Sequence, residues 1–121
     1  MSSVYEQIGG EPAMAAAVEL FYRKVLGDER ISHFFETVDM ERQAAKQKAF
    51  LTMVCGGPAN YTGKDMREGH RPLVQRGLND MHFNAVAGHL KETLEELGVP
   101  AELVGKVMAV AEGARADVLN R

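Results

Sequence analysis

The spacing of apolar residues is the strongest constraint on what this chain can fold into. Apolar residues recur at helical spacing in four long stretches, which cover residues 12–26, 39–54, 80–97 and 100–119. Alternation of apolar and polar residues, which is typical of a half-buried strand, is absent throughout the sequence. We therefore predict an all-α fold built on four substantial helices.

Proline, glycine and acidic residues indicate where these helices begin and end. Pro12 suits the first turn of the first helix, where a missing N–H costs no hydrogen bond, and Pro100 opens the last helix. Asp39 and Asp80 are predicted to be the N-caps of the second and third helices. Residues 56–69 are rich in helix-breaking glycine, so we predict a poorly ordered loop there.

Pro72 follows His70 by two residues and limits where the helix that carries this histidine can start. Inside a helix a proline costs about 3 kcal/mol, because it removes a hydrogen bond and clashes with the preceding turn. We therefore predict that this helix begins late, with Pro72 in its first turn. Met66 and Leu73 lie at helical spacing from His70, so an apolar face presents the imidazole.

Composition narrows the classes of function. The chain has 121 residues, enough for one domain with one core, and we assign residues 1–121 to a single domain. A net charge of -3 without a run of lysine and arginine argues against nucleic-acid binding. We find neither a signal peptide nor an apolar run of membrane-spanning length. Cys55 is the only cysteine, which predicts a small core residue in a reducing cytoplasm.

Polar residues interrupt the predicted apolar faces at three places. Tyr22 lies at the edge of the first stripe, Gln43 and Gln47 lie one turn apart within the second, and His70 has apolar flanks. A buried polar group costs roughly 1–3 kcal/mol unless it is paired. Either these groups satisfy one another and backbone carbonyls, or they line a pocket whose ligand uses them.

A haem fits such a pocket on physical grounds. Its iron needs an axial base, which a neutral histidine supplies, and tyrosine and glutamine can donate hydrogen bonds to a gas on the other face. Its flat ring needs apolar walls, for which the candidates are Phe34, Phe35, Phe50 and Phe83.

Short motifs along nearly the whole chain are similar to those of a known family. They are Gly9-Gly10, Phe21-Tyr22, Phe34-Phe35, Gly56-Gly57-Pro58, Tyr61-Thr62-Gly63, Met66-Arg67, His70 and Asp117-Val118-Leu119-Asn120-Arg121. Their order and spacing resemble those of the truncated haemoglobins of group I, whose fold is a 2-on-2 helical sandwich around haem.

The resemblance implies a haem b with His70 as the proximal iron ligand, Phe35 packed on the haem face, and Tyr22, Gln43 and Gln47 as distal donors. The full set of residues expected to contact the cofactor is Tyr22, Phe34, Phe35, Gln43, Lys46, Gln47, Phe50, Tyr61, Met66, Arg67, His70, Phe83 and Val86. The other histidines are weaker candidates. His82 and His89 are expected to be solvated, and His33 lies in a short turn.

This chain departs from familiar members at two positions. Ala114 stands where some relatives attach the haem covalently through a histidine, and no Cys-x-x-Cys-His motif is present, so we predict a non-covalent haem. Lys46 stands where some relatives use a histidine as a sixth iron ligand. Two roles remain open for Lys46: its stem lies along the haem edge, or its neutral amine is the distal ligand.

The sequence leaves three alternative hypotheses for the function. The first is a cytoplasmic, monomeric haem globin that binds O2, NO and CO reversibly and, with a reductase, converts NO to nitrate. The second is an electron-transfer or redox-sensing protein with six-coordinate haem iron. The third is a haem-free helical interaction module whose polar residues form core hydrogen bonds. We expect neither nucleic acid nor membrane as a partner.

Overall fold

The computed structural model describes residues 4–35, 39–57 and 63–120, and all regular structure within these ranges is helical. The elements are α1 (Val4–Gln7), α2 (Glu11–Leu26), a 3-10 helix (Ser32–Phe35), α3 (Met40–Val54), α4 (Gly63–Gln75), α5 (Asp80–Glu96), α6 (Ala101–Gly113) and α7 (Arg115–Val118). The predicted all-α fold is confirmed. No helix in the described ranges is both long and apolar enough to cross a bilayer.

Two pairs of helices form the body of the fold. Helices α2 and α3 pack together, α5 and α6 pack together, and contacts between α2 and α5 and between α3 and α6 join the two pairs. This is the expected 2-on-2 sandwich. Side chains from four helices meet between the layers, and the most deeply buried of them include Met14, Val25, Leu51, Leu94 and Val107.

The starts of α2, α3 and α6 lie within one residue of the sequence prediction, whereas α5 has a different N-cap and the start of α4 is described below. The Asp39 side chain accepts hydrogen bonds from two backbone N–H groups in the first turn of α3, as expected of an N-cap. In α5 the N-cap is Asn79, and the prediction of Asp80 is wrong by one residue. Asn79 also donates its backbone N–H to the ring of His82, at 3.1 Å, which completes a capping box.

The loop predicted over residues 56–69 is wrong from Gly63 onward, because α4 runs from there to Gln75. Pro72 lies inside α4 rather than in its first turn, so the Glu68 carbonyl lacks the helical N–H that it would otherwise accept. Tertiary packing overrides the local preference: Met66 is buried, and α7 lies against α4. The described part of the chain thus contains five long helices, and residues 58–62 of the predicted loop lie outside it.

The two ends of the chain show local features that the sequence did not predict. The single last helix predicted to reach residue 119 is broken at Ala114, which separates α6 from α7. At the other end, the Tyr5 ring packs on Gly57, where an added Cβ would come within 2.5 Å of it. Cys55 is a core residue as predicted, and its burial raises the pKa of the thiol to about 11.

Candidate functional site

A cavity of about 770 Å³ opens beside α3 and α4. This volume lies in the range of small-molecule and cofactor sites, roughly 300–1,000 Å³. The predicted site residues that the structure brings to its wall are Tyr22, Phe34, Phe35, Gln43, Lys46, Gln47, Phe50, Met66, His70, Phe83 and Val86. Five segments of the chain, far apart in sequence, therefore converge on one space.

Two predicted site residues are not among these wall residues, and only one of the two lies in the described part of the chain. The structure does not bring Arg67 to the cavity, because its guanidinium pairs with Asp117 at 3.3 Å instead. Tyr61 lies outside the described residues.

The His70 imidazole is arranged as a metal ligand would be. Its Nδ1 lies 2.7 Å from the Met66 carbonyl oxygen one turn earlier. A carbonyl can only accept, so Nδ1 carries the proton and the Nε2 lone pair is left for a ligand role. Burial lowers the pKa of His70, the nearby charge of Lys46 acts in the same direction, and the Met66 hydrogen bond opposes both. The ring is therefore a neutral imidazole at neutral pH.

Side chains of α2 and α3 place hydrogen-bond donors at the cavity wall. Tyr22 is 7% exposed, and its hydroxyl donates to the Gln43 backbone carbonyl at 3.1 Å. This bond supplies the partner that a buried phenol requires. The Tyr22 ring meets Phe35 edge-on, with 6.0 Å between ring centroids. Gln43 and Gln47 are half-buried at the cavity wall, so their amides lie at the boundary between the dry core and the cavity.

Lys46 lines the same cavity, but the residue as a whole is exposed. Its charge is close enough to disfavour a protonated His70, which places the ammonium within electrostatic reach of the imidazole. The exposed position suits a stem that lies along the cavity edge. Ligation of a metal would require the stem to bend inward.

His82 is a site residue that sequence reasoning missed, and the expectation that it is solvated is wrong. It is 9% exposed and lines the cavity, with its ring edge-on to Phe34 at 5.1 Å between centroids. Because Nδ1 accepts from the Asn79 backbone, the neutral ring carries its proton on Nε2 and offers a donor. The sequence feature that could have indicated a buried His82 is its spacing from Asn79, because an N-cap residue and the residue three positions later form a capping box.

The two other histidines lie away from the cavity wall. The expectation that His89 is solvated is also wrong: its side chain is 17% exposed, and Nε2 pairs with Asp28 at 2.7 Å. The salt bridge of Asp28 with Arg30 and the bond to His89 hold the pKa of that carboxyl well below its usual range. His33 stacks on Phe34 with 4.1 Å between ring centroids.

The residues of the cavity fit a haem. The described residues contain no group of three or more His, Cys, Asp or Glu side chains able to hold a bare metal ion. A single neutral histidine in an aromatic and aliphatic wall instead suits a metal that arrives inside a flat apolar ring. The polar groups of Lys46 and His82 on the same wall suit the carboxylates that such a ring carries.

Comparison with known proteins agrees with this geometry. Residues 3–120 match the family model described as bacterial-like globin. Group 1 truncated hemoglobin GlbN from Synechocystis sp. is 54% identical, over all of both chains. The structure of Fe(III) truncated hemoglobin from Tetrahymena pyriformis is 47% identical, with a TM-score of 0.88 and 98% of each chain covered. The 2/2 hemoglobin of Synechococcus sp. PCC 7002, solved in the cyanomet state with covalently attached heme, is 45% identical, with a TM-score of 0.92, covering 99% of this chain and 100% of that one.

Proposed function

The chain belongs to the group 1 truncated haemoglobins, within the bacterial-like globins, and on that premise we propose that it binds O2 reversibly at a haem b ligated by His70. As a member of this family it is a haem globin that binds gases. The observation that carries the proposal is the Met66–His70 hydrogen bond at the cavity wall, which presents a neutral imidazole with its Nε2 lone pair unprotonated.

Residues on several elements would hold the cofactor. Phe35 and Phe50 supply apolar surface for the ring, and the other wall residues complete the enclosure. The exposed ammonium of Lys46 and the Nε2–H of His82 are the groups suited to the haem carboxylates. Burial of the apolar ring contributes roughly 25 cal/mol per Å² of apolar surface removed from water.

The distal donors favour O2 over gases that carry less negative charge when bound. Tyr22, Gln43 and Gln47 offer N–H and O–H groups inside a cavity of low dielectric constant, where hydrogen bonds to a charged or polarised atom are strong. NO and CO fit the same space and gain less from these donors. A haem held by His70 would supply the gas-binding position and one electron for converting NO and O2 to nitrate, and an external reductase would restore that electron.

The runner-up function is electron transfer or redox sensing with six-coordinate iron, which the position of Lys46 at the cavity wall favours. Visible spectra of freshly purified protein, ferric and ferrous, with and without CO, separate both haem functions from a haem-free module. Ligand-binding rates on the ferrous form then separate gas binding from the six-coordinate alternative. A globin spectrum that shifts fully with CO supports the gas-binding proposal. A colourless protein that takes up no added haem would contradict it and support a haem-free module.

Lys46→Ala is expected to separate the two roles of that lysine. If the amine ligates iron, the ferric wild type shifts from high to low spin as pH rises, because an ammonium has no lone pair until it loses a proton. The variant then lacks this low-spin form and binds external ligands faster. Lys48→Ala is the matched control, since Lys48 pairs with Glu11. The same transition in wild type and Lys46→Ala would exclude ligation, because bound hydroxide alone produces such a shift.

The haem is expected to be held without a covalent bond. Ala114 is a buried methyl-bearing residue between α6 and α7 and offers no nucleophile for a haem vinyl group. Acidified organic solvent should extract the pigment completely, and the denatured protein should have the mass of the bare chain. A mass increased by one haem would show that another residue forms the bond, as could be traced by peptide mapping.

We further propose that residues 1–121 act as one domain and as a monomer in the cytoplasm. The core formed by α2, α3, α5 and α6 is continuous across the described residues, which supports one domain.

A further inference from the structure

Asn120 makes an unusual connection to the helix that carries His70. Its side-chain amide donates to the backbone carbonyl of Arg67, at 3.1 Å, across the contact between α7 and α4. Among residues 4–35, 39–57 and 63–120 it is the only non-glycine residue with a positive φ, at 57°. Asparagine tolerates this left-handed conformation better than most residues, so the backbone turn and the amide position are set together.

The accepting carbonyl lies next to the one that orients the imidazole. Arg67 follows Met66 directly, and the Met66 carbonyl accepts the Nδ1–H of His70 at 2.7 Å. A shift of the Arg67 backbone therefore rotates the neighbouring peptide unit and changes the length and angle of the His70 hydrogen bond. The position of Asn120 therefore affects the orientation of the His70 imidazole through one turn of α4.

Helix α4 lacks one backbone hydrogen bond next to Arg67, so contacts from other elements help to hold it there. Pro72 has no N–H, so the Glu68 carbonyl lacks its helical donor directly beside the carbonyl that Asn120 contacts. The ion pair between Arg67 and Asp117 lies nearby, but its side chains are 41% and 37% exposed and such pairs contribute little. The Asn120 amide instead binds the backbone of α4 itself, whereas the ion pair joins two side chains.

Helix α7 is itself anchored at its first residue. The Arg115 guanidinium donates to Asp80 at 3.0 Å and to Asn84 at 2.6 Å, both on α5. It also lies over the Phe83 ring, 4.4 Å from the centroid, and Phe83 lines the cavity. The segment that holds α4 is thus fixed to α5, which also contributes to the wall of the same cavity.

We propose that Asn120 is a positioning residue for His70: by holding the Arg67 carbonyl it fixes the hydrogen bond that orients the imidazole and raises its basicity. The proposal rests on the proposed function, in which His70 ligates the haem iron. Outer partners of ligating histidines typically change metal affinity by about 10- to 100-fold when removed. Asn120 acts one step further away, so an effect near the lower end is expected.

Two variants without the amide donor test the proposal. Asn120→Gly keeps the positive φ at no steric cost, and Asn120→Asp keeps the side-chain shape but can only accept. We expect both to shift and broaden the iron–histidine stretching band of the ferrous protein. We also expect haem transfer to an excess of apomyoglobin to be about tenfold faster than in wild type. Asp117→Asn removes only the exposed ion pair and is expected to leave the band and the transfer rate unchanged.

The outcomes separate this proposal from the proposed function. A wild-type protein without a haem spectrum would overturn both. Wild-type protein that binds haem, with an unshifted band in both Asn120 variants, would overturn the positioning role alone, even if their thermal stability were reduced. If one variant does not fold, the band of the other decides the question, and loss of folding in both would assign Asn120 a structural role and overturn the proposal.

Discussion

His70→Ala is expected to lose most of its haem during purification and to bind haem again when imidazole is supplied in the buffer. The variant removes the only side chain proposed as the permanent iron ligand, and it leaves a space of the size of an imidazole beside Met66. Added imidazole restores the nitrogen ligand but not its link to α4, so haem binding recovers while the haem dissociates faster than in wild type. Haem content per chain and the ferric and ferrous spectra measure both effects.

His82→Gln is the matched control for this experiment. His82 lines the same cavity, and glutamine at the third position of α5 can replace it in the capping box with Asn79. We expect this variant to keep a histidine-ligated spectrum, with at most a weaker hold on the haem. If His70→Ala kept the wild-type spectrum and His82→Gln lost it, the proximal assignment would pass from α4 to α5.

Periodicity predicted the helices that follow a long apolar stripe, even where Gln43 and Gln47 interrupt it. The bodies of α2, α3, α5 and α6 follow the stripes, and Pro100 directly precedes α6. The helix that carries His70 was predicted, but its early start at Gly63 was missed because glycines and Pro72 are local signals that weaken any helix. What stabilises α4 is contact with α7 across nearly 50 residues of chain, and no local pattern contains that information. The break at Ala114 was missed for the same reason: the apolar stripe of the last predicted helix continues past it, and the contact of α7 with α4 is not a local pattern.

The candidate site was predictable where polar groups conflict with an apolar face. Tyr22 and His70 stand out on that criterion alone, and both reach the cavity wall. His82 was missed because its polar partner is the backbone of Asn79, so its position next to the apolar Phe83 looked like the rim of a helix. The choice between Asn79 and Asp80 as N-cap depends on one residue's backbone angles, and both side chains cap well.

Tyr22→Phe is expected to speed the release of O2 much more than the release of CO. Bound O2 draws more negative charge onto its outer atoms than bound CO does, so a donor in a cavity of low dielectric constant stabilises O2 selectively. One hydrogen bond of about 1.4 kcal/mol corresponds to about tenfold in rate if it is felt fully in the bound state. Stopped-flow displacement of each gas from the ferrous protein measures the two rates.

The hydrogen bond from Tyr22 to the Gln43 carbonyl sets the size of this effect. The hydroxyl has one proton, so donating to a gas means turning away from that carbonyl, which α3 still supplies with a helical N–H. The net gain is the difference between two hydrogen bonds, and about tenfold is therefore an upper value for Tyr22 alone. Tyr5→Phe is the matched control, because the Tyr5 ring packs on Gly57 and does not line the cavity. Equal acceleration of both gases in Tyr22→Phe would assign its role to the shape of the cavity instead of to its proton.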